Sequence, residues 1–355
     1  MPGFARLSFL VRVRLEEEMG ENLRSNPVPA RRLGATGPEI GVMGLGCWAI
    51  GGPVIRDDGH TIGWGSVDDD ESVAAIERGL DLGVTLFDTA NVYGRGHSET
   101  LVGQTLRGHD EVLVATKFGF TVGDEGDATD KLRVQPAEIR AACEASLRRL
   151  GRDRIDLYQL HVGILPDAAA DAAAGTLEEL QSQGLIRHFG WSSDVPPQAA
   201  RWAARGTCAA VQIACNVLED KPEFFELCEK TSMTALIRSP LASGFLSGKY
   251  GPDSRLPADD WRTQETALGW GDMFRPDGSA EPRWLAKLDA LREVLTDGGR
   301  SLVQGAIGWL WARSPAAVPI PGFKTPAQVE ENVGAIRFGP LPAGHLRRID
   351  EILGR

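Results

Sequence analysis

The chain has 355 residues, 42% hydrophobic and 25% charged, a balance that supplies a large core and argues against wholesale disorder. Its net charge of -11 at pH 7 lacks the basic footprint that a phosphate backbone needs and is repelled by anionic membrane surfaces, so nucleic acid and membrane are poor partners. Five cysteines, odd in number and without a C-x-x-C pair, fit reduced and buried thiols in a cytoplasm rather than a disulfide framework.

In chain order, residues 1–29 hold an apolar run broken by Arg12 and Arg14 and followed by three glutamates. They lack the apolar stretch of a signal peptide and read as a disordered tail, with Met19 as an alternative start. Residues 30–355 read as one domain. RRLGATGPEIG (31–41) predicts a short hairpin that plugs one end of a series of strand–helix units. The strand VMGLGCW (42–48) precedes the helix DDESVAAIERGLDLG (69–83), and VTLFD (84–88) precedes SETLVGQTL (98–106). EVLVATK (111–117) leads to PAEIRAACEASLRRLG (136–151), with Pro136 in a first helical turn, and RIDLYQLH (154–161) leads to TLEELQSQG (176–184). IRHFGWS (186–192), AAVQIACN (209–216), MTALIRS (233–239) and AVPIP (317–321) are the remaining strands. Their helices are PPQAARWAA (196–204), PEFFELCEK (222–230), SLVQGAIGWLWAR (301–313) and TPAQVEENVGAI (325–336). Eight such units favour a closed (β/α)8 TIM barrel over a doubly wound open sheet. GLGCWAIGG (44–52) is glycine-rich, yet it does not fit G-x-G-x-x-G followed directly by a helix. Residues 241–300, after strand seven, form a connection far longer than usual.

Chemistry in such a barrel sits at the C-terminal ends of the strands. Asp88 ends the second strand, Tyr93 lies in the loop behind it, Lys117 ends the third strand and His161 the fourth. Only seven of the 38 basic residues are lysines, so Lys117 invites a specific reason. Taken singly, a strand-end Asp caps a helix, a Lys is a solvated cation and a His is a satisfied core residue. Together they make a proton relay: Asp88 holds the ammonium, and the ammonium is expected to lower the Tyr93 pKa from about 10. A carbonyl oxygen that receives negative charge during hydride attack needs a proton donor and a second hydrogen-bond donor, and Tyr93 with His161 offers both.

Five ordered stretches carry a resemblance: FDTANVYGRGHSE (87–99), VATKFGF (114–120), DLYQLH (156–161), SPLASGFLSGKY (239–250) and PIPGFKTPAQVEEN (319–332). From about Arg31 to Ile336 the chain resembles the aldo-keto reductase superfamily. The resemblance implies a catalytic tetrad of Asp88, Tyr93, Lys117 and His161, and hydride delivery from a nicotinamide to the carbonyl carbon of a small molecule.

The stretch around Thr325 also reads from its residues alone. Thr325 stands before Pro326 and three residues before Gln328, a capping pattern whose free N–H groups, beside Lys324, suit a phosphate. The resemblance implies that Gly322, Phe323, Lys324, Thr325, Gln328, Glu331 and Asn332 hold the adenosine phosphate end. It further implies that Ser192, Ser193 and Gln212 meet the nicotinamide carboxamide, and that Arg238, Ser239, Pro240, Leu241, Ser243 and Lys249 line the middle of the cofactor. Gly46, Cys47, Trp48 and Asp88 complete the expected cofactor contacts, and Trp48, Tyr93 and His161 the substrate pocket. Three positions depart from the family's pattern: Ser193 replaces an asparagine, Arg238 an aromatic, and Gln328 an arginine found in many members. NADPH is the expected cofactor, with NADH as the alternative.

The aromatics Trp261, Trp270, Phe274 and Trp284 of the insertion, with Trp48 and Trp64 of the first loop, either wall a substrate cavity or form a satellite core. A rival reading is a cofactor-binding, redox-sensing regulatory subunit, because the potassium-channel β-subunits of this superfamily share glutamine at the Gln328 position. That branch carries asparagine where this chain has His161. The six histidines form no H-x-H or H-E-x-x-H pair, which speaks against a metal-dependent hydrolase.

Overall fold

The computed structural model describes residues 30–55, 61–120, 131–257, 260–263 and 273–355. The expected tail (1–29) and Trp270 lie outside the described residues. Eight parallel strands run in sequence order around one sheet: β1 (Leu45–Gly46), β2 (Leu86–Asp88), β3 (Leu113–Phe118), β4 (Ile155–Leu160), β5 (Ile186–Ser192), β6 (Cys208–Ala214), β7 (Thr234–Arg238) and β8 (Ala317–Pro319). The sheet closes where β8 meets β1. There Gly44 N–H donates to Pro319 O at 3.0 Å, Gly46 N–H donates to Pro321 O at 2.9 Å, and Gly46 bridges Gly322. A Cβ on Gly44 would come within 2.8 Å of the Leu86 carbonyl, and one on Gly46 within 2.8 Å of the Ile320 carbonyl. Gly44 and Gly46 thus let the first strand press between two neighbours, and the stretch then turns through a 3-10 helix at Ala49–Gly51 rather than opening directly into an α-helix.

The expected hairpin is present: Arg31–Arg32 pairs antiparallel with Glu39–Ile40. Its Leu33 and Ile40 are buried and form a small core with Leu86, Leu113, Leu157, Leu236 and Val318 from the barrel strands. Water is excluded from that end, and the chemistry is left to the other.

The helices are α1 (Asp69–Asp81), α2 (His97–Thr105), α3 (Pro136–Leu150), α4 (Asp167–Ser182), α5 (Pro196–Ala203), α6 (Pro222–Thr231), α7 (Pro282–Thr296), α8 (Leu302–Arg313), α9 (Pro326–Val333) and α10 (Ala343–Leu353). Their ends follow local chemistry. The Asp68 carboxylate caps α1 by accepting from Asp70 and Glu71 N–H, and Gln135 with Glu138 forms a capping box ahead of Pro136. Three elements escape the pattern of apolar periodicity. α4 starts at Asp167, well before the expected TLEELQSQG, because the alanine-rich DAAADAAAG is strongly helix-forming without a clear apolar stripe. α7 lies inside the insertion, and α10 comes after the last expected helix; both pack on α8. The first strand is shorter than expected because the Val42 carbonyl accepts from the Trp311 indole N–H (2.9 Å) rather than from a neighbouring strand. Among the described residues no helix is long and apolar enough to cross a membrane.

Candidate active site

Strand register brings the expected groups together. β2 aligns Asp88 with Ala115 of β3, and β3 aligns Lys117 with Gln159 of β4, so alternation turns Asp88, Lys117 and Gln159 into the barrel. Lys117 is 0% exposed and Asp88 2%. The Lys117 Nζ donates to Asp88 Oδ2 at 2.5 Å, to the Thr89 carbonyl at 2.9 Å and to Tyr93 Oη at 3.2 Å. The other Asp88 oxygen accepts from Gln159 Nε2 (3.0 Å) and Gln212 Nε2 (2.9 Å), so the buried carboxylate is bonded on both sides. Sequence reading passed over Gln159, although its place two residues before His161 on a strand signalled an inward side chain.

Burial works against the Lys117 ammonium, but Asp88 and Tyr93 outweigh it and hold the Lys117 pKa above the ordinary value. For Tyr93 the outcome reverses the expectation. Burial pushes the phenol up, Lys117 pulls it down and Asp88 pushes it up again, leaving the pKa above 10 rather than below. The sequence could show the neighbouring ammonium but not the desolvation. Tyr93 therefore keeps its proton at neutral pH, with Lys117 positioned to stabilise the phenolate once the proton has left.

The loop bearing Tyr93 is unusual in its backbone. Gly94, Arg95 and Gly96 all have positive φ (58°, 53° and 92°), and a Cβ on Gly94 would sit 1.7 Å from the Gly51 carbonyl. The first turn of α2 then ties the loop down. His97 Nδ1 contacts the Gly51 carbonyl at 3.1 Å, Ser98 donates to the Cys47 carbonyl at 2.8 Å, and the buried Glu99 accepts from Thr116 and Arg149, each at 2.6 Å.

His161 lies edge-on to Tyr93, ring centroids 5.9 Å apart, and its buried Nδ1 has no hydrogen-bond partner among the described residues. Burial, then the charges of Lys117 and Arg238, push its pKa well below 6.5, so the imidazole is neutral near pH 7. The linkage has a definite sign. Below about 6.5 the unfolded chain takes up a proton here that the folded chain refuses, so stability falls as pH falls. A His161→Asn variant is expected to flatten the acid side of a urea-midpoint-against-pH profile, and an unaltered slope would contradict an imidazole held neutral in the fold.

The expected aromatic wall is realised in part. Trp48 stacks on Tyr93 at 6.0 Å and meets Trp261 at 5.3 Å and Trp64 at 5.5 Å. Arg262 lies over the Trp64 ring. Phe274 instead joins Phe245 and Tyr250 at the edge of the main core, and Trp284 stands on α7 beneath Arg283 and Lys287, packed against the same core.

Of the residues expected to hold a cofactor, Ser192, Gln212 and Arg238 fall on β5 to β7, and the others named after β7 and β8 fall in the loops and the helix that follow. Ser239, Ala242 and Ser243 all have positive φ (54°, 49° and 54°), three non-glycine residues in a sparsely populated conformation within one loop after β7. Beyond β8, Thr325 caps α9 by accepting from Gln328 N–H at 3.3 Å, while the Gln328 side chain accepts from Lys324 N–H rather than from Thr325, one residue off a standard capping box. Asn332 donates to the Gly322 carbonyl at 3.3 Å, Phe323 is buried, and Glu331 is exposed. Lys324 Nζ donates to the carbonyls of Trp64 (2.6 Å) and Ser66 (2.9 Å). Arg238 is bonded to Asp194, and Ser193 Oγ donates to the Gly163 carbonyl at 2.6 Å. Cys47 is fully buried, and its carbonyl accepts from Ser98 Oγ. Ser192 and Gln212, also buried, end β5 and sit within β6. The positive-φ loop after β7, and the capped helix N-terminus and Lys324 ammonium after β8, are groups that would suit the phosphates of a nicotinamide dinucleotide.

Comparison with known proteins bears on the family and the fold. The sequence model of the Aldo/keto reductase family matches residues 42–354. Aldo-keto reductase YhdN of Bacillus subtilis is 30% identical over 306 residues, covering 83% of this chain and 85% of its own. Aldo-keto reductase yakc [NADP(+)] of Schizosaccharomyces pombe is 27% identical, with 87% of each chain covered. Among solved structures, the glycerol dehydrogenase AKR11B4 from Gluconobacter oxydans superposes with a TM-score of 0.76 at 31% identity, covering 92% of this chain and 96% of that one. Matched in sequence across its barrel and in fold over nearly its whole length, this chain belongs to the aldo/keto reductase family.

Proposed function

We propose that the chain reduces aldehyde or ketone carbonyls to alcohols with NADPH, Tyr93 giving the proton. The observation that carries this reading is the single buried ammonium of Lys117, bonded at once to Asp88, to the Thr89 carbonyl and to the Tyr93 hydroxyl. The nicotinamide supplies hydride when bound. Tyr93 hands its proton to the carbonyl oxygen as charge builds there, and Lys117 balances the phenolate left behind. Asp88, held by Gln159 and Gln212, keeps the ammonium charged and in place. His161, neutral, donates a hydrogen bond that orients the carbonyl oxygen beside Tyr93. Five buried free cysteines suit work in a reducing cytoplasm. NADPH oxidation measured against a panel of aldehydes, ketones and sugars tests the proposal. Binding of NADPH without turnover of any carbonyl would favour a cofactor-binding regulatory subunit instead.

NADPH is preferred over NADH because Lys324 stands ready at the α9 N-terminus, and a relative carries NADP(+) in its name. A charge-assisted bond to the 2′-phosphate is worth about 1.5–3 kcal/mol, so Lys324→Ala is expected to raise the Kd of NADPH about tenfold or more. The Kd of NADH should move far less, and equal losses for the two cofactors in a fluorescence titration would remove the preference.

A further inference from the structure

Glu99 stands six residues after Tyr93 and takes no part in the proton transfer, yet its carboxylate is wholly buried. Its two oxygens reach different elements. One accepts from Thr116 Oγ1 on β3, the residue immediately before Lys117, and the other accepts from Arg149 Nε at the end of α3, each at 2.6 Å. Arg149 runs directly under the loop that bears Tyr93: a Cβ on Gly96 would come within 2.5 Å of Arg149 Cδ. Burying an ion pair costs more than burying an apolar side chain of similar size, so stability alone is a weak reason for a carboxylate here.

The first turn of α2 reaches Lys117 by two routes. Glu99 holds the backbone of β3 through Thr116. Its neighbour Ser98 accepts from Thr89 Oγ1 at 2.9 Å, and the Thr89 carbonyl in turn accepts from the Lys117 ammonium. Thr89, Ser98, Glu99 and Thr116 are all 0% exposed, so water cannot stand in for a lost bond. The helix has no room to slide, because a Cβ on Gly103 would lie 2.4 Å from the Leu150 carbonyl of α3. Tyr93 and Lys117 come from separate elements, and at 3.2 Å their contact is the longest of the three that the ammonium makes. The loop on the tyrosine side also carries three consecutive residues of positive φ, a conformation that lasts only where surrounding contacts enforce it.

We propose that Glu99 is a positioning residue for the reduction: by gripping Thr116 on one side and Arg149 on the other, it fixes the Tyr93 hydroxyl against the Lys117 ammonium. It thereby sets the rate of proton transfer and leaves the affinity for cofactor and carbonyl alone. This rests on the carbonyl-reductase reading. Glu99 acts through Thr116 and Arg149, not on the reacting atoms.

Single-turnover oxidation of NADPH by the preformed enzyme–NADPH complex, with the carbonyl that the parent reduces fastest, tests it. Glu99→Gln keeps an oxygen for Thr116 but sets an amide N–H against that of Arg149. Its rate constant is expected to fall about 10²-fold, the cost of a displacement near 1 Å, with the KM of the carbonyl and the Kd of NADPH little changed. The solvent deuterium isotope effect should rise, because transfer from a displaced phenol becomes the slow step. Thr116→Val, which keeps the side-chain shape and loses the hydroxyl, should slow the reaction about tenfold or more, and Thr116→Ser should restore it. These two carry the test should Glu99→Gln fold poorly. A single-turnover rate constant counts only folded enzyme, so a lowered urea midpoint or amplitude with the rate constant unchanged overturns the inference: the ion pair would then serve the fold alone. Thr116→Ser as slow as Thr116→Val also overturns it. If the parent reduces no carbonyl, it is the proposed function that fails.

Discussion

Tyr93→Phe is expected to lower kcat for carbonyl reduction by about 10²–10⁴-fold, the usual worth of a positioned general acid, with the Kd of NADPH nearly unchanged. The substitution is narrow. Phenylalanine keeps the ring that stacks on Trp48, and Lys117 keeps Asp88 and the Thr89 carbonyl as acceptors, so packing and the buried charge pair survive. Only the hydroxyl is removed, and with it the proton and one acceptor of Lys117. Single-turnover measurements with preformed enzyme–NADPH complex separate loss of chemistry from loss of binding, and undiminished turnover would take Tyr93 out of the mechanism.

Lys117→Met is expected to abolish turnover and also to lower stability by about 3–5 kcal/mol, because it strands the Asp88 carboxylate in the barrel with only two amide donors. Adding Asp88→Asn should restore most of the stability and none of the activity, since an amide at that place needs no counter-charge. Urea unfolding of the two single variants and the double gives the coupling. A Lys117→Met protein as stable as the parent would mean that the pair is not what holds the Asp88 carboxylate buried.

Asp88 and Lys117 are legible in the residue string, because strand-end placement comes from short β-branched runs and the helix patterns between them. Gln159 is equally legible by alternation from His161. What the sequence withholds are properties of assembly. The direction of the Tyr93 pKa depends on how much water the folded site excludes, and Arg238 finds Asp194 on another strand's loop. α7 and α10 add a second helical layer outside the eight repeated units, and nothing in a strand–helix count requires them. The aromatic residues split, Trp48, Trp64 and Trp261 to the rim and Trp284 away from it, because a composition of rings does not say which loop folds inward.

The glycine seam between β1 and β8 has a consequence for how the molecule comes into being. Residues 44–46 find their partners at 319–322, near the opposite end of the chain, so the contact that shuts the barrel is among the most distant in sequence. Such contacts form late and slow folding. During synthesis the first strand has an unpaired edge until residues 319–322 have emerged, and that edge offers a surface on which two unfinished chains can join. The glycines that let the last strand come close are then as much a feature of timely folding as of the finished barrel.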